Sequence, residues 1–288
     1  MSWDLKIIRT THAIRHETTT ARASGRMVAL VPTMGCLHEG HLSLIRRAKK
    51  LVGAKGAVVV TIFVNKTQFG PSEDFGRYPR ALKRDTALCR GLGVDIVFAP
   101  SDEAIYTVRH STFVVESRLA KLMEGASRPT HFRGVMTVVA KLFNLVQPHA
   151  AVFGAKDWQQ AVVIRQITGD LNFPVRVVIA PTIREHDGLA MSSRNEHLSP
   201  AERAQSTVLY EIIRAARAAV KNATTPLPAG VLRRKLARFV GKQHLAKLDY
   251  IEFFHPTTLE PAKRVGRGTH LALAVFLGKT RLIDNGRL

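Results

Sequence analysis

The chain has 288 residues, enough for a large hydrophobic core and for two domains. It is 45% hydrophobic and 23% charged, as expected of a soluble globular protein, and its longest apolar run, residues 57–64, is far too short to span a bilayer. Lys and Arg outnumber Asp and Glu by 43 to 22, and the net charge of +21 favours anionic partners such as nucleotides, carboxylates or nucleic acid.

Cysteine usage and the first ten residues bear on the cell compartment. Cys36 and Cys89 show neither metal-ligand spacing nor a disulfide framework, which fits a reducing compartment. Residues 1–10 carry scattered charges and no apolar run, so no signal peptide is visible. We therefore expect a cytoplasmic protein.

The first predicted strand leads into a loop with two histidines. The apolar run Met27–Val31 predicts a buried strand, and helical spacing begins at Gly40, so His38 and His41 lie where a strand gives way to a helix. Backbone N–H groups and the helix dipole favour a bound anion at such a point. One capping and one solvated histidine remain the simpler alternative, because the H-x-G-H pattern alone is weak.

Strands and helices then alternate. Val58–Val64 predicts a second buried strand followed by a loop that holds Gln68, and a helix to about Leu92 precedes a third strand over Val94–Phe98. This alternation predicts βαβ units and a parallel sheet. Right-handed crossovers would bring the histidines and Gln68 to the carboxyl edge of that sheet, where ligands bind.

The middle of the chain continues the pattern. Phe113–Val115 is a candidate short strand, residues 127–134 are a polar, basic loop, and residues 135–146 form an amphipathic helix that Pro148 ends. Strands are predicted over residues 150–153 and 175–180. Between them, residues 154–160 turn into a helix whose N-cap could simply be Asp157.

Residues 181–195 show no regular period. Gly188, Ser192, Ser193 and Arg194 suit a loop that wraps a polyanion, although an ordinary polar connector would look similar. The composition shift near Pro181 suggests a domain boundary.

The last third of the chain predicts a second, mixed domain. Ser199–Glu202 is a capping box that opens a long helix reaching Val220, and a basic helix follows over residues 229–241. Strands are predicted over residues 248–254, 271–277 and 280–283, as a small antiparallel sheet. The fold class is therefore α/β, with a doubly wound, Rossmann-like parallel sheet over residues 1–181 and a smaller α+β domain over residues 182–288.

Several stretches, in this order, resemble the pantothenate synthetases, the ligases that join pantoate to β-alanine at the cost of ATP. The resemblance covers nearly the whole chain and rests on residues 32–41, 63–71, 77–80, 132–157, 187–195 and 278–284. That family belongs to the nucleotidylyltransferase superfamily. The superfamily's H-x-G-H loop and its later mobile loop correspond here to His38–His41 and Met191–Arg194.

The resemblance implies a C-terminal lid domain, a homodimer and a reaction in two halves. The pantoate carboxylate attacks the α-phosphorus of Mg–ATP, giving pantoyl adenylate and pyrophosphate. The β-alanine amine then attacks the acyl carbon, releasing AMP and pantothenate for coenzyme A biosynthesis. No tightly bound organic cofactor, no membrane and no specific nucleic acid is implied.

The site residues follow from the matching motifs. His38, His41 and Lys156 are expected on the ATP phosphates, and His41 matches the family's proton donor. Gln68 and Gln160 match two glutamines that hold the pantoate. The expected ATP-binding residues are Met34, Gly35, Cys36, Leu37, His38, Glu39, Gly40, His41, Gly154, Ala155, Lys156, Asp157, Ile183, Met191, Ser192, Ser193 and Arg194. Asp85 is a candidate Mg²⁺ contact, directly or through water.

Three positions depart from the family pattern, and two other functions stay open. Ala155 stands where Glu is common, Lys66-Thr67 replaces Pro-Leu, and Cys36 replaces Ala or Asn, which bears on rate and affinity more than on reaction type. Another nucleotidylyltransferase would share the H-x-G-H loop but would have no reason for the paired glutamines. A nucleic-acid-binding protein would need a contiguous basic face, whereas the basic residues here are dispersed.

Overall fold

The computed structural model describes residues 5–71 and 73–288, which pack as two units. The first unit runs to Ala155 and includes Val163–Pro181, and the second holds Lys156–Val162 and Thr182–Leu288. The sequence placed a single boundary near Pro181. The short segment Lys156–Val162, which packs with the second unit, has no counterpart in that prediction.

Parallel strands form the centre of the first unit. Over the described residues, six strands pair in the order β1-β4-β3-β2-β5-β6, all parallel. They are β1 (Lys6–Ile8), β2 (Val28–Thr33), β3 (Ala57–Ile62), β4 (Ile96–Phe98), β5 (Ala150–Gly154) and β6 (Arg176–Ala180). The order reverses between β2 and β5, so the loop after β2 leaves the sheet at the topological switch point where such sheets bind ligands.

Helices connect these strands. They are α1 (Thr11–Ala23), α2 (Glu39–Val52), α3 (Leu82–Gly91), α4 (Asp102–Ile105), α5 (Glu124–Ser127), α6 (His131–Val146) and α7 (Trp158–Asp170), the last of which begins in the second unit. Helix α2 packs on β2, β3 and β5. Its apolar stripe, which includes Leu44, Ile45 and Ala48, joins Val31 and Val60 of the sheet in one buried cluster. That packing fixes where the N-terminus of α2 lies.

The second unit is a small antiparallel sheet with helices on one face. Its helices are α8 (Pro200–Gln205), α9 (Val208–Asn222) and α10 (Ala229–Val240). Its sheet has the order β11-β10-β8, formed by β8 (Ala246–Phe254), β10 (His270–Leu277) and β11 (Thr280–Arg287), and a short pair joins β7 (Leu227–Pro228) to β9 (Arg264–Val265). Leu271, Leu273 and Val275 of β10 share one buried cluster with α9 and α10. Within the described ranges, no helix is long and apolar enough to cross a membrane.

Three local predictions were wrong. Residues 113–115 form no strand, because no neighbouring strand pairs with their backbone in the described chain. Residues 131–134 lie in the first turn of α6 rather than in a loop. The single helix expected after Ser199 is two helices, α8 and α9, separated at Ser206 and Thr207.

Candidate active site

The loop after β2 is held in one shape by its own backbone. Gly35 has φ +87°, and a Cβ there would meet Ile62 Cγ2 at 3.0 Å and an Asp85 carboxylate oxygen at 3.1 Å, so only glycine fits without displacement. The Gly35 N–H donates to Thr33 Oγ1 at 3.2 Å, and that hydroxyl donates to the Thr61 carbonyl at 2.6 Å. The loop that carries the predicted ATP-binding residues is therefore preformed.

Asp85 anchors this loop from α3. Its carboxylate is 0% exposed, and its two oxygens accept hydrogen bonds from the backbone N–H groups of Cys36 and Leu37, both at 2.8 Å. A direct Mg²⁺ contact would compete with these two hydrogen bonds, because the carboxylate is enclosed and already bonded to the loop. The contact, directly or through water, stays a prediction. The described residues also hold no group of three or more His, Cys, Asp or Glu side chains that could hold a metal ion. The structure shows that Asp85 shapes the loop.

His38 and His41 form the N-terminus of α2. The His38 ring accepts at Nδ1 from the Gly40 N–H at 3.2 Å, the His38 N–H points to His41 Nδ1 at 3.4 Å, and the two ring centroids are 4.1 Å apart. Because Nδ1 of each ring acts as an acceptor, the ring proton lies on Nε2. The two histidines thus present Nε2–H donors at a helix terminus whose dipole favours anions.

Gln68 lies beside this loop and is oriented by its neighbours. Its side-chain Nε2 donates to Met34 Sδ at 3.0 Å, and its Oε1 accepts from Asn65 Nδ2 at 3.1 Å. Asn65 is itself held, because the same amide donates to the Gly134 carbonyl at 3.1 Å. The structure therefore brings together two predicted site residues, Gln68 and Met34, and fixes which end of the Gln68 amide is the donor.

The backbone of Gln68 is held by α6. A Cβ on Gly134 would lie 2.4 Å from the Thr67 carbonyl group, so this glycine permits the close approach of helix and loop. His131 Nδ1 lies 3.0 Å from the Gln68 carbonyl oxygen. Burial, and then the charge of Arg128, lowers the pKa of His131 to about 4, so the neutral ring donates its Nδ1–H to that carbonyl.

Arg128 links the same region to two carboxylates. Its guanidinium donates to Glu73 at 2.9 and 2.5 Å and lies 3.7 Å from Glu124. Burial opposes ionisation of Glu73, but the hydrogen bond and charge of Arg128 outweigh it and lower the pKa of Glu73. The charged side chains of Arg128, Glu73 and Glu124 are thus paired with one another. Sequence reasoning missed Arg128 and Glu73 as partners because they are 55 residues apart.

The second unit holds the remaining phosphate-binding candidates around one open surface cleft. Lys156, Ser192 and Arg194 line it, together with Asp284 and Arg281. Lys156 Nζ lies 3.7 Å from Asp157 Oδ1. Cationic and hydroxyl groups predicted from two separate stretches of the sequence therefore converge within this unit, as a site for a polyanion requires.

The loop over residues 182–195 has its own anchors. Arg184 makes a two-fold contact with Asp284, at 2.6 and 2.9 Å, and its guanidinium lies over the Tyr210 ring at 4.5 Å. The Met191 N–H donates to the Ile183 carbonyl at 3.0 Å, which closes the loop on itself. Gly188 has φ +97°, and a Cβ on it would be 2.0 Å from Tyr210, so this turn also requires glycine. Sequence reasoning missed the role of Arg184.

The other predicted residues are divided between the two units. Gly154 ends β5 and Ala155 begins the 3₁₀ turn that follows it, both in the first unit, whereas Lys156 and Asp157 of the same turn belong to the second. Gln160 lies in the first turns of α7, in the part of that helix that packs with the second unit. Ser193 is buried at the start of a short 3₁₀ helix that Ser192 caps.

Comparison with known proteins identifies the family of the chain. The profile of a family described as pantoate-beta-alanine ligase matches residues 6–287. A pantothenate synthetase of Moorella thermoacetica is 46% identical over 281 residues, covering 98% of each chain, and one of Anaeromyxobacter dehalogenans is 51% identical over 277 residues, covering 94% of each.

Solved structures give the same result. A pantothenate synthetase of Thermus thermophilus has a TM-score of 0.89 and 43% identity, covering 98% of this chain and 99% of that one. A pantoate-beta-alanine ligase of Francisella tularensis, solved in complex with beta-gamma ATP and beta-alanine, has a TM-score of 0.81 and 32% identity, covering 99% of this chain and 98% of that one. Matches of this extent and identity include both units.

Proposed function

This chain belongs to the pantoate–β-alanine ligase family, and from that premise we infer that its two groups of site residues carry the ATP-dependent ligation of pantoate to β-alanine. The match over residues 6–287 carries the assignment, because it includes both units. The reaction runs through pantoyl adenylate, with pyrophosphate leaving in the first step and AMP in the second.

In the first step, negative charge builds on the phosphate oxygens as the pantoate carboxylate attacks phosphorus. The Nε2–H donors of His38 and His41 and the N-terminus of α2 stabilise that charge from the first unit. We propose that Lys156, Ser192 and Arg194, which line one cleft, also stabilise this charge. No nucleophilic side chain is needed, because the substrate carboxylate is the nucleophile.

Magnesium enters this proposal as part of the substrate. Asp85 is enclosed by the loop after β2, and the described residues present no carboxylate cluster for a resident ion. We therefore propose that Mg²⁺ would arrive with ATP as part of the substrate and would supply positive charge to the phosphates, since proteins commonly bind this ion through substrate phosphates with only one or two carboxylates.

Gln68 holds pantoate by donation from its amide nitrogen. Since Asn65 donates to Gln68 Oε1, the Nε2 group is the end that can serve an oxygen of the substrate. A neutral amide orients a carboxylate nucleophile without the strong attraction of a salt bridge. Gln160 provides the second amide in this proposal.

We also propose a cytoplasmic homodimer. The first unit exposes apolar side chains close together in sequence, with Val108 100%, Phe113 38% and Val115 67% exposed. Exposed apolar side chains mark protein–protein contacts where they form a contiguous patch, and we propose that these three do so. Val115→Asp should therefore shift the protein toward monomer in sedimentation, whereas the same change at exposed Val231 should not. Equal mass distributions for the two variants would contradict the assignment of this face.

Pyrophosphate exchange tests the reaction itself. The purified chain should exchange labelled pyrophosphate into ATP when pantoate is present, without β-alanine. A panel of other hydroxy acids is the control. Exchange without any acid, or equal exchange with unrelated acids, would contradict the proposed substrate.

A further inference from the structure

A buried polar chain connects the last strand to Lys156. Asn285 of β11 donates from Nδ2 to the Lys156 carbonyl oxygen at 2.7 Å and accepts at Oδ1 from His270 Nε2 at 2.9 Å. Both Asn285 and His270 are buried. Every one of these residues lies in the second unit.

The register of the sheet explains how the two side chains meet. His270 pairs with Arg287 and Ala272 pairs with Asn285, so His270 and Asn285 are diagonal neighbours on one face of the β10–β11 ladder. Leu271 and Leu273, which alternate with them, face the helical core. The face that carries His270 and Asn285 is therefore the one against which Lys156–Val162 packs.

A stacked pair reinforces the contact. The Trp158 ring lies on the His270 ring with centroids 4.4 Å apart and an interplanar angle of 19°, and Trp158 Nε1 donates to the Pro256 carbonyl at 2.9 Å. Burial lowers the pKa of His270, so the neutral ring donates its Nε2–H to Asn285. His270 Nδ1 is buried with no hydrogen-bond partner, which leaves the Asn285 bond as the polar role of this ring.

We propose that Asn285, supported by His270, is a positioning residue for the adenylation step, because it fixes the peptide that follows Lys156 and so aims the Lys156 side chain at the phosphates. The proposal rests on the proposed function, which assigns Lys156 to the phosphates. The hydrogen bond holds the peptide between Lys156 and Asp157, and so fixes both the direction in which the Lys156 side chain leaves the backbone and the position of the Asp157 backbone.

The neighbouring residue of β11 supports this assignment. Asp284 holds Arg184 and hence the loop that carries Ser192 and Arg194. Two consecutive residues of one strand therefore anchor the two phosphate-binding segments of the second unit. Because both anchors share one backbone, the spacing of Lys156 from Ser192 and Arg194 is set by β11 rather than by flexible loops.

The test uses substitutions that keep the shape of the side chain. Asn285→Asp keeps the acceptor for His270 but removes the Nδ2–H donor and brings a carboxylate oxygen against the Lys156 carbonyl. His270→Phe keeps the stacking on Trp158 and removes the donor to Asn285, whereas His270→Gln retains an N–H near the Nε2 position. Asn222→Asp, at the exposed end of α9, is the matched control for the added charge.

Three measurements separate positioning from general stability. These are equilibrium ATP binding, single-turnover adenylation from ATP and pantoate, and transfer to β-alanine from supplied pantoyl adenylate, with the melting temperature measured alongside. Misplacing a reacting group by about 1 Å costs on the order of 100-fold. We expect Asn285→Asp to lose about 10- to 100-fold in adenylation, with weaker ATP binding and with transfer from the adenylate within about twofold of wild type. His270→Phe should lower the adenylation rate less than Asn285→Asp does, and His270→Gln should retain most of the wild-type rate.

Failure of the inference differs from failure of the proposed function. Wild-type adenylation and ATP binding in Asn285→Asp would overturn the inference, as would equal losses in both half-reactions with a matching fall in melting temperature. A wild-type protein that binds ATP but shows no pantoate-dependent exchange would overturn the proposed function alone. In that case the inference still stands or falls on ATP binding by the variants.

Discussion

Replacing Asp85 by Asn should destabilise the loop after β2 even when no ligand is bound. The carboxylate accepts from Cys36 and Leu37 in a site with no solvent exposure. Asparagine can keep one of these bonds but turns an N–H₂ group toward the other donor. A buried hydrogen bond to a charged group is worth about 1.5–3 kcal/mol and an unsatisfied buried donor costs about 1–3 kcal/mol. We therefore expect the free energy of unfolding to fall by about 3 kcal/mol in Asp85→Asn, and further in Asp85→Ala.

The assay compares unfolding and adenylation across magnesium concentrations. Urea unfolding of the ligand-free protein, followed by circular dichroism, measures the stability, with exposed Asp170→Asn as the control. Adenylation should be slow in Asp85→Asn at every Mg²⁺ concentration, because the loop itself is altered. A variant with wild-type stability, whose adenylation recovers in excess Mg²⁺, would refute the loop-anchor role and restore Asp85 as a metal contact.

Four further predictions follow from the site. His41→Ala and Lys156→Ala should each slow adenylation by roughly 10²–10³ and spare transfer from supplied pantoyl adenylate, whereas Gln68→Ala should harm both steps; equal losses in both steps for Lys156→Ala would contradict this division. The pKa of His131, about 4 in the folded protein and ordinarily 6.5, means that the unfolded chain binds the extra proton first, so stability should fall as the pH drops from 6.5 to 4. The total loss of stability is at most about 3.4 kcal/mol. His131→Asn, which keeps a donor to Gln68, should flatten this part of a urea-unfolding pH profile. Gly134→Ala should cost about 1–3 kcal/mol and raise the KM for pantoate, because its Cβ would meet the Thr67 carbonyl, while Gly169→Ala, which meets nothing within 4 Å, should not. The basic residues are dispersed along the chain, with nine of them and no acidic residue over residues 212–248. Any RNA binding should therefore come from phosphate neutralisation alone and be weak, sequence-independent and lost in moderate salt. A tight, sequence-selective complex at physiological salt would contradict this prediction.

Most of the fold could be predicted because its strands are strongly patterned. The buried strands β2, β3 and β5 are short apolar runs bounded by glycine or proline, and α6 has a clear apolar stripe. Strand β1 and helix α1 went unpredicted, since β1 has only three residues and α1 is rich in threonine and charge. Nor could the order of the strands in the sheet be predicted, because it depends on pairings between distant segments.

The candidate site divides in the same way. His38, His41 and Gln68 could be predicted because they lie in short motifs that are recognisable from neighbouring residues. The role of Asp85 depends on two backbone donors 48 and 49 residues away, and that of Asn285 on a carbonyl 129 residues away. Such partners carry no local pattern, so the sequence predicted neither the loop-anchoring role of Asp85 nor any role for Asn285.

The capping arrangement of His38 changes how alanine scanning of this motif should be interpreted. The ring that we propose to bind phosphate also caps the first turn of α2, so replacing it by alanine removes both the cap and the phosphate donor. Loss of an N-cap costs about 1 kcal/mol, and loss of a preorganised donor costs about 2.7–4 kcal/mol of transition-state stabilisation. Asparagine is a good N-cap without an imidazole, so His38→Asn retains the cap and isolates the chemical contribution. The difference in rate between His38→Ala and His38→Asn then measures how much of the loss in the alanine variant comes from the missing helix cap.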